Sequence, residues 1–282
     1  MYMKETKIWF VTGASKGFGL ILVRKLLEQG YKVAATSRNI EDLKNAVGQH
    51  DRFLPLQVNL LDENEVQKAV SSTIEHFGRL DVLVNNAGYG QIGPFEEISD
   101  QQARKNFEVN VFGMFNVIRS ALPQLRKQRS GHIFNFSSIC GFWGFPASSI
   151  YAATKFAVDG FTESIAHELK RFNIRVTSVL PGEFRTNFLS SGSLEYVDQP
   201  PIADYDELRN KQKEGLRRGD KNQKGDPQKA MDVLIRVSQD PNPPLHLFLG
   251  ADAYEIAEKK IERLQKEMEA WKDLAASTDF SD

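Results

Sequence analysis

The sequence predicts an α/β fold in which a doubly wound parallel sheet forms a single domain. Short apolar runs alternate with amphipathic segments of helical length, as strands do when helical crossovers join them. A glycine-rich turn follows the first apolar run and leads into a helical pattern. Such sheets bind ligands where their strands end, so the residues that follow each run are the candidate site.

Seven apolar runs predict the strands, in chain order 8–11, 31–38, 53–58, 82–84, 132–136, 175–180 and 246–249. Helical spacing predicts helices after the first run and over 61–77, about 100–120, about 151–166 and 227–238. Although 282 residues exceed the usual domain length, α/β folds of about 200 to 250 residues commonly form one unit. We therefore assign residues 1–250 to one domain and 251–282 to a C-terminal helical extension.

Two segments depart from the alternating pattern. Residues from about 187 to 225 are polar and weakly patterned, which predicts a mobile substrate lid within the domain. Between Ala257 and Ala275, apolar residues recur at intervals of 4, 3, 4, 3 and 4. This spacing predicts an amphipathic helix that docks either on its own domain or on a symmetric partner.

Composition excludes several classes of function. Lys and Arg number 36 against 37 Asp and Glu, which gives no reason to expect nucleic acid or a membrane surface as a partner. The single cysteine, Cys140, excludes an intrachain disulfide, and no apolar run reaches the length of a membrane span. The five histidines do not fall at metal-ligand spacing. We expect a cytoplasmic protein without a metal and without a catalytic Cys140.

The glycine-rich turn is a candidate phosphate site. Its pattern is TGxxxGxG, and a strand, a glycine turn and a helix in this order point free backbone N–H groups at a pyrophosphate. Glycine is needed where a phosphate approaches the backbone. The residues expected to contact the cofactor here are Gly13, Ser15, Lys16, Gly17, Phe18 and Gly19.

The end of the second strand indicates which dinucleotide is preferred. A carboxylate at this position would bind the 2′-hydroxyl of NAD, but the chain has Ser37 and Arg38, with Lys16 nearby in the glycine turn. A guanidinium can bind a 2′-phosphate through two hydrogen bonds. NADP(H) is therefore favoured over NAD(H), unless Arg38 and Lys16 are ordinary surface charges.

The other strand ends supply further candidates. Asn59 falls where the third strand should meet the adenine, and Asn86, Ala87 and Gly88 follow the fourth strand. After the sixth strand, Pro181 and Gly182 open a gap in which Thr186 could bind the carboxamide of the nicotinamide. Asn110 lies in a helix among apolar neighbours, where it either forms a core hydrogen bond or anchors a catalytic water.

Ser138, Tyr151 and Lys155 are the candidate catalytic residues. Tyr151 and Lys155 share one face of a predicted helix because they are four residues apart. An ammonium about 4 Å from a phenol contributes about 4 kcal/mol to the phenolate, or about three pKa units, at an effective dielectric constant of about 20. Tyr151 would then exchange protons near pH 7, and Ser138 could donate a hydrogen bond to the same substrate oxygen. A solvated helix edge is the alternative for an isolated YxxxK.

Taken together, TGASKGFG, NNAG, Asn110, Ser138, YAATK and PGEFRT occur in the order that is typical of the short-chain dehydrogenases/reductases, which the chain resembles from Lys7 to Gly250. The resemblance implies a Rossmann fold of about 250 residues and a dimer or tetramer. Its GFG turn at 17–19, its aromatic loop at 140–149 and its long C-terminal helix are similar to those of the group that contains 17β-hydroxysteroid and retinol dehydrogenases.

The resemblance also implies a role for each matching residue. Tyr151 would be the acid/base, Ser138 would polarise the substrate oxygen, and Lys155 would hold the nicotinamide ribose while lowering the pKa of Tyr151. Asn110 would anchor a water. Asn59 and Leu60 would line the adenine and Asn86 the adjoining ribose, although family enzymes usually have Asp where Asn59 stands.

We therefore expect NADP(H)-dependent hydride transfer to or from an alcohol or carbonyl carbon of a small, apolar substrate. Five aromatic residues could line its pocket: Phe142, Trp143, Phe145, Phe184 and Phe188. One alternative is a catalytically idle NADP(H)-binding sensor. A second is sugar-nucleotide epimerisation or dehydration, but the turn is not TGxxGxxG and no second domain is evident.

Overall fold

The computed structural model describes residues 6–189 and 192–280. Within them, the strands are β1 Ile8–Val11, β2 Lys32–Ser37, β3 Phe53–Gln57, β4 Val82–Asn85, β5 Gly90–Ile92, β6 Gly131–Phe136, β7 Ile174–Pro181, β8 Leu194–Tyr196 and β9 His246–Leu249. Seven of these form one parallel sheet in the order β3-β2-β1-β4-β6-β7-β9. The predicted doubly wound parallel sheet is confirmed.

The helices of the described residues are α1 Gly17–Glu28, α2 Ile40–Val47, α3 Glu63–Phe77, α4 Asp100–Phe107, α5 Gly113–Gln128, α6 Ser149–Leu169, α7 Asp206–Gly219, α8 Pro227–Gln239 and α9 Ala251–Ala276. Several begin at a polar residue that caps the free N–H groups of the first turn. The side chains of Asn39, Asp62 and Asp226 each accept two such hydrogen bonds, at α2, α3 and α8. None of these helices is both long enough and apolar enough to span a bilayer.

The sheet is covered on both faces. On one face, α1 and α8 bury Leu22, Leu26 and Met231 against β1 and its neighbours. On the other, α3, α5 and α6 bury a second apolar layer that includes Val117 and Val158. Because the central strands β1 and β4 are buried on both sides, their sequences are nearly continuously apolar and do not alternate.

The strand order places a crevice at the carboxyl edge of the sheet. β1 pairs with β2 on one side and with β4 on the other, so the chain reverses its winding direction between these two neighbours. Crossovers on opposite faces diverge there and leave room for a ligand. The glycine turn after β1 and the polar residues after β2 and β4 therefore share one edge, as the sequence predicts.

Three local features differ from the prediction. The single helix expected over about 100–120 is α4 and α5 joined by a π-helical turn, Glu108–Phe112, and α5 continues through Pro123 to Gln128. The expected loop after β4 contains β5, which pairs in parallel with β8. The predicted lid contains β8 and the 14-residue helix α7, so it has regular structure.

Candidate active site

Helix α6 and the end of β6 position Tyr151 and Lys155. Lys155 is buried, its Nζ donates to the carbonyl of Phe136 over 2.8 Å, and it lies 5.7 Å from the centre of the Tyr151 ring. The hydroxyl of Ser137 donates to the Lys155 carbonyl over 2.8 Å, which ties α6 to the strand end. The Tyr–Lys pair is thus fixed at the carboxyl edge of the sheet, not on a solvated helix edge.

Burial dominates the electrostatics of the pair. It raises the pKa of Tyr151 above its ordinary value, Cys140 raises it further, and the hydroxyl of Ser138 offsets part of the increase. Burial also lowers the pKa of Lys155 to about 8. The predicted fall in the Tyr151 pKa is therefore wrong, because desolvation of the buried phenol has the largest effect. A phenol that keeps its proton can act as a proton donor.

Asn110 lies in the π-helical turn and forms core hydrogen bonds. Its Oδ1 accepts from the backbone N–H of Tyr89 over 3.0 Å, and its Nδ2 donates to the Tyr89 carbonyl over 2.9 Å and to Thr154 over 3.1 Å. The loop after β4 passes beside it at Gly88. A Cβ there would lie 3.0 Å from Asn110 Oδ1 and 3.5 Å from Lys155 Nζ, so Asn110 and Lys155 meet across this glycine.

The glycine turn has the properties of an anion site. Gly13 and Gly17 adopt φ angles of +66° and +57°, and a Cβ on Gly19 would lie 2.5 Å from the Gly13 carbonyl. The first turn of α1 has no acidic residue and no side-chain cap, so its N–H groups face an open approach. These features fit a dinucleotide pyrophosphate. Ser15 lies half-buried in the turn, whereas Phe18 packs on Phe136 and Phe184.

Lys16 and Arg38 lie close together at the end of β2. Burial lowers the pKa of Lys16, and the charge of Arg38 lowers it further. Two cations that repel each other at this position fit a 2′-phosphate, which would neutralise both. Arg38 is exposed, and the hydroxyl of neighbouring Ser37 accepts from the N–H of Asn39 over 3.2 Å.

The side chains of two asparagines at strand ends form hydrogen bonds with backbone groups of the protein. Nδ2 of Asn86 donates to the carbonyls of Thr12 and Gly13 over 3.1 and 3.0 Å, so it supports the glycine turn. Asn59 is exposed, and its Oδ1 accepts from the N–H of Leu61 over 3.2 Å. The carbonyl of Leu60 accepts from Asn116 over 2.9 Å. Contacts of Asn59, Leu60 and Asn86 with the cofactor remain predictions.

The residues after β7 surround the far side of the crevice. Gly182 follows the buried Pro181. A Cβ on Gly182 would lie 2.2 Å from Oδ2 of Asp252, so only a glycine here leaves space for this carboxylate from the first turn of α9. The same oxygen accepts from the N–H of Glu183 over 2.6 Å. The hydroxyl of Thr186 accepts from the N–H of Phe188 over 3.3 Å.

The five aromatic residues do not gather into one pocket. The ring of Phe188 lies 6.3 Å from that of Tyr151. Phe184 packs on Phe18, Phe142 packs on Phe248, and Trp143 lies under Arg263. Among these four rings, Phe188 is the one whose contact is with Tyr151, and a place for Phe145 in the pocket stays a prediction.

The segment predicted as a lid borders an open cavity of about 670 Å³ between β5, β8 and α7. Its lining combines apolar and cationic side chains, among them Ile92, Leu189, Leu216, Lys213 and Arg217. The lid is anchored beneath the cavity, where Arg209 donates to the fully buried carboxylate of Glu97. Glu97 also accepts from the N–H of Ile202 over 2.8 Å. These contacts anchor the segment, and its role as a substrate lid stays a prediction.

A family model described as short chain dehydrogenase matches residues 7–195. The chain belongs to the short-chain dehydrogenase/reductase family. In this family, oxidoreductase BOA17 of Botryotinia fuckeliana is 37% identical over 276 residues, which cover 97% of this chain and 99% of that protein. The membership confirms the resemblance, while the likeness to the 17β-hydroxysteroid and retinol dehydrogenase group stays a prediction.

Solved structures of the family agree with the fold. A short-chain dehydrogenase from Streptomyces avermitilis is 34% identical, covers 98% of this chain and 100% of its own, and superposes with a TM-score of 0.89. A short-chain dehydrogenase from Burkholderia cenocepacia in complex with NADP is 28% identical, with a TM-score of 0.74 and coverage of 94% and 97%. The chain is thus a single Rossmann-fold oxidoreductase domain.

The structure of this short-chain dehydrogenase/reductase also reveals supporting residues that the sequence analysis did not single out. The buried hydroxyl of Thr12 accepts from the N–H groups of Asn86 and Ala87 over 3.0 and 3.1 Å. Asn106 donates to the Tyr89 carbonyl over 3.1 Å, beside Asn110. The only sequence signal was position, since Thr12 directly follows a strand and Asn106 lies one helical turn before Asn110.

Proposed function

We propose that the chain is an NADP(H)-dependent oxidoreductase that transfers hydride between the nicotinamide and an alcohol or carbonyl carbon, with Tyr151 as the general acid/base. One observation carries the proposal: buried Lys155 lies 5.7 Å from the Tyr151 ring centre at the end of the sheet where the glycine turn opens. A protein that only bound a dinucleotide would not need a buried ammonium beside a phenol, because burying that charge is costly.

In the direction of reduction, bound NADPH would supply the hydride to the carbonyl carbon. The hydroxyl of Ser138 would donate a hydrogen bond to the carbonyl oxygen and support the charge that develops on it. Tyr151 would transfer its proton to that oxygen, which completes the alcohol. The ammonium of Lys155 would then stabilise the phenolate that remains, and a proton from solvent would restore the phenol.

We infer a preference for NADP(H) from the two cations at the end of β2. Burial lowers the pKa of Lys16, and the charge of nearby Arg38 lowers it further. The related Burkholderia cenocepacia enzyme binds NADP, which supports the same cofactor. A 2′-phosphate between the two groups would remove their mutual repulsion, whereas the 2′-hydroxyl of NAD would leave it in place.

We further propose that the segment 187–225 covers a small substrate that has an apolar part near the reacting carbonyl. Phe188 at the start of this segment lies 6.3 Å from Tyr151, ring centre to ring centre. Leu189, the residue after Phe188, lines a cavity together with apolar Ile92 and Leu216. The substrate would thus extend from Tyr151 toward the underside of α7.

A screen of the wild-type protein tests the proposal. A chemically diverse panel of aldehydes and ketones is incubated with NADPH or with NADH, and oxidation of each dinucleotide is followed by its absorbance. We expect turnover of at least one carbonyl, with NADPH preferred over NADH. Tight NADPH binding without oxidation across the panel would contradict the proposal and favour an idle sensor.

We also propose that the chain forms a homo-oligomer through α9. Beyond Ala257, which is buried, this helix exposes Ile261, Leu264, Met268 and Trp271 along one stripe. Residues 258–273 carry five acidic and five basic side chains, so two copies can pair without net repulsion. An exposed apolar stripe of this length is typical of an interface.

A further inference from the structure

A cluster of three metal-ligand side chains lies outside the candidate active site. Asp159 and Glu163 are one turn apart on α6, and His246 is the first residue of β9. Their ligand atoms all lie within 4.8 Å of one another. The cluster is one helical turn beyond Lys155 on α6, and none of its three residues has a role in the proposed reaction.

Two distances within the cluster lie on either side of the ligand separation around a tetrahedral ion. Nε2 of His246 lies 3.0 Å from Oε1 of Glu163 and 3.7 Å from Oδ2 of Asp159. Two ligands with bonds of about 2.0 to 2.1 Å to a tetrahedral Zn²⁺ are separated by about 3.3 Å, which falls between these values. Small side-chain rotations would therefore bring all three atoms to bonding distance.

Asp159 has the burial and orientation of a fixed ligand. It is 8% exposed, and its Oδ1 accepts from the hydroxyl of Ser178 over 2.5 Å. Its Oδ2 points toward His246 and accepts no hydrogen bond from any residue in 6–189 or 192–280. A second partner that orients a ligand in this way is typical of metal sites.

The surroundings leave room for a cation. The ammonium of Lys260 acts on Asp159, and its Nζ donates to the Phe142 carbonyl over 2.6 Å. The side chains of His246 and Glu163 are 28% and 53% exposed, so an ion can enter from solvent with water as a fourth ligand. Two carboxylates and an imidazole are donors that borderline divalent metals accept.

We propose that Asp159, Glu163 and His246 form a binding site for a divalent transition metal such as Zn²⁺, which would join α6 to β9. The expectation of no metal rested on spacing along the chain. His246 is distant in sequence from the two carboxylates, so only the pairing of β9 with β7 brings it to Ser178 and Asp159. The site is independent of the proposed oxidoreductase activity.

Zn²⁺ binding to the chelator-treated full-length protein tests the proposal by titration calorimetry. We expect one Zn²⁺ per chain and a rise in Tm of about 4 °C at a free concentration about 100 times Kd. His246→Gln and Glu163→Gln should each weaken Zn²⁺ binding at least about tenfold, because the loss of a residue that only supports a metal ligand already reduces metal affinity about tenfold or more.

Two matched variants serve as controls for these substitutions. His167→Gln and Glu168→Gln make the same chemical changes on the exposed side of α6 and should leave the Zn²⁺ affinity unchanged. Absence of Zn²⁺ binding would overturn the proposal. Binding that persists unchanged in both His246→Gln and Glu163→Gln would also overturn it, and circular dichroism would verify that the variants are folded.

Discussion

At the residue scale, burial determines the chemistry available to Tyr151 and Lys155. The phenol keeps its proton because its pKa is raised, while the pKa of the ammonium falls to about 8. A nearby cation alone, as considered from the sequence, would have moved the Tyr151 pKa in the opposite direction. In the proposed reaction Tyr151 therefore donates the proton and Lys155 stabilises the resulting phenolate. A bound cofactor would change the charge around both side chains.

Arg38 should determine which dinucleotide the enzyme uses. A charge-assisted hydrogen bond to a 2′-phosphate contributes about 1.5 to 3 kcal/mol, so Arg38→Asp should lower kcat/KM for NADPH by about 10- to 100-fold. Because NADH lacks that phosphate, its kcat/KM should not fall. Steady-state kinetics with both dinucleotides measures the ratio. The same charge reversal at exposed Arg236, on α8, should leave the ratio unchanged.

His132 should make the fold sensitive to acid. It is buried in β6, where its ring stacks on Phe134 and Nε2 lies 2.9 Å from Oγ1 of Thr177. Burial lowers its pKa to about 2. The unfolded chain therefore binds a proton below about pH 6.5 that the folded chain does not, and stability falls as pH decreases through that range.

Replacing His132 by Gln tests this linkage. The amide stays neutral and can still hydrogen-bond Thr177. Between pH 7 and pH 5, wild-type protein should lose about 2 kcal/mol more unfolding free energy than His132→Gln does. Urea unfolding at both pH values gives this difference. An equal loss in both proteins would contradict the assigned burial of a neutral imidazole, and exposed His167→Gln should behave as wild type.

At the scale of elements, the seven strands of the main sheet were predictable, and the regular structure within the lid was not. Strand β1 agrees with its prediction because residues buried on both faces of a parallel sheet give a continuous apolar run. The β5–β8 ladder joins segments far apart in sequence, so no local pattern indicates it. Helix α7 is polar because much of it faces solvent, which conceals its periodicity.

The same contrast holds for the site. The glycine turn, Ser138, Tyr151 and Lys155 were predictable because their spacing is set by single elements that end at one sheet edge. The π-helical turn around Asn110 was not, since it depends on the loop at Tyr89 that the amide bonds twice. The raised pKa of Tyr151 was also hidden, because burial follows from packing that a sequence does not display.

The buried contact between Glu97 and Arg209 should hold the lid in place. Glu97→Gln removes the buried charge that faces Arg209 and leaves Arg209 paired with the more exposed carboxylate of Asp206, so local opening should be favoured. Limited proteolysis of α7 should then become at least about tenfold faster, since cleavage follows the open population. Glu214→Gln breaks the exposed pair with Arg218 on the same helix and should not change the rate.

At the scale of the whole molecule, helix α9 begins on the packed sheet domain and extends beyond it. The first turns of α9 are held by buried Ala253 and Ala257 and by Asp252 at Gly182. Every residue from 261 to 280 is exposed. Intramolecular packing therefore accounts for the start of the predicted amphipathic helix, and the proposed partner copy would cover the remainder.

Met268 should be central to that association. It is 72% exposed, so replacing it by Glu costs a monomer little but would place a charge in the paired stripe. Sedimentation equilibrium should show an oligomer for wild type and a smaller mass for Met268→Glu. Ala270→Glu adds the same charge on the opposite side of α9 and should retain the oligomer. A monomeric wild type would contradict the proposed interface.

The account depends most on proton transfer from Tyr151, which a single-turnover measurement of Tyr151→Phe tests directly. With the carbonyl that wild type reduces fastest, the rate of NADPH oxidation should fall at least about 100-fold, since the variant lacks only the transferable proton. NADPH affinity should change less than about threefold, and exposed Tyr254→Phe should match wild type. Hydride transfer at the wild-type rate in Tyr151→Phe would contradict the account.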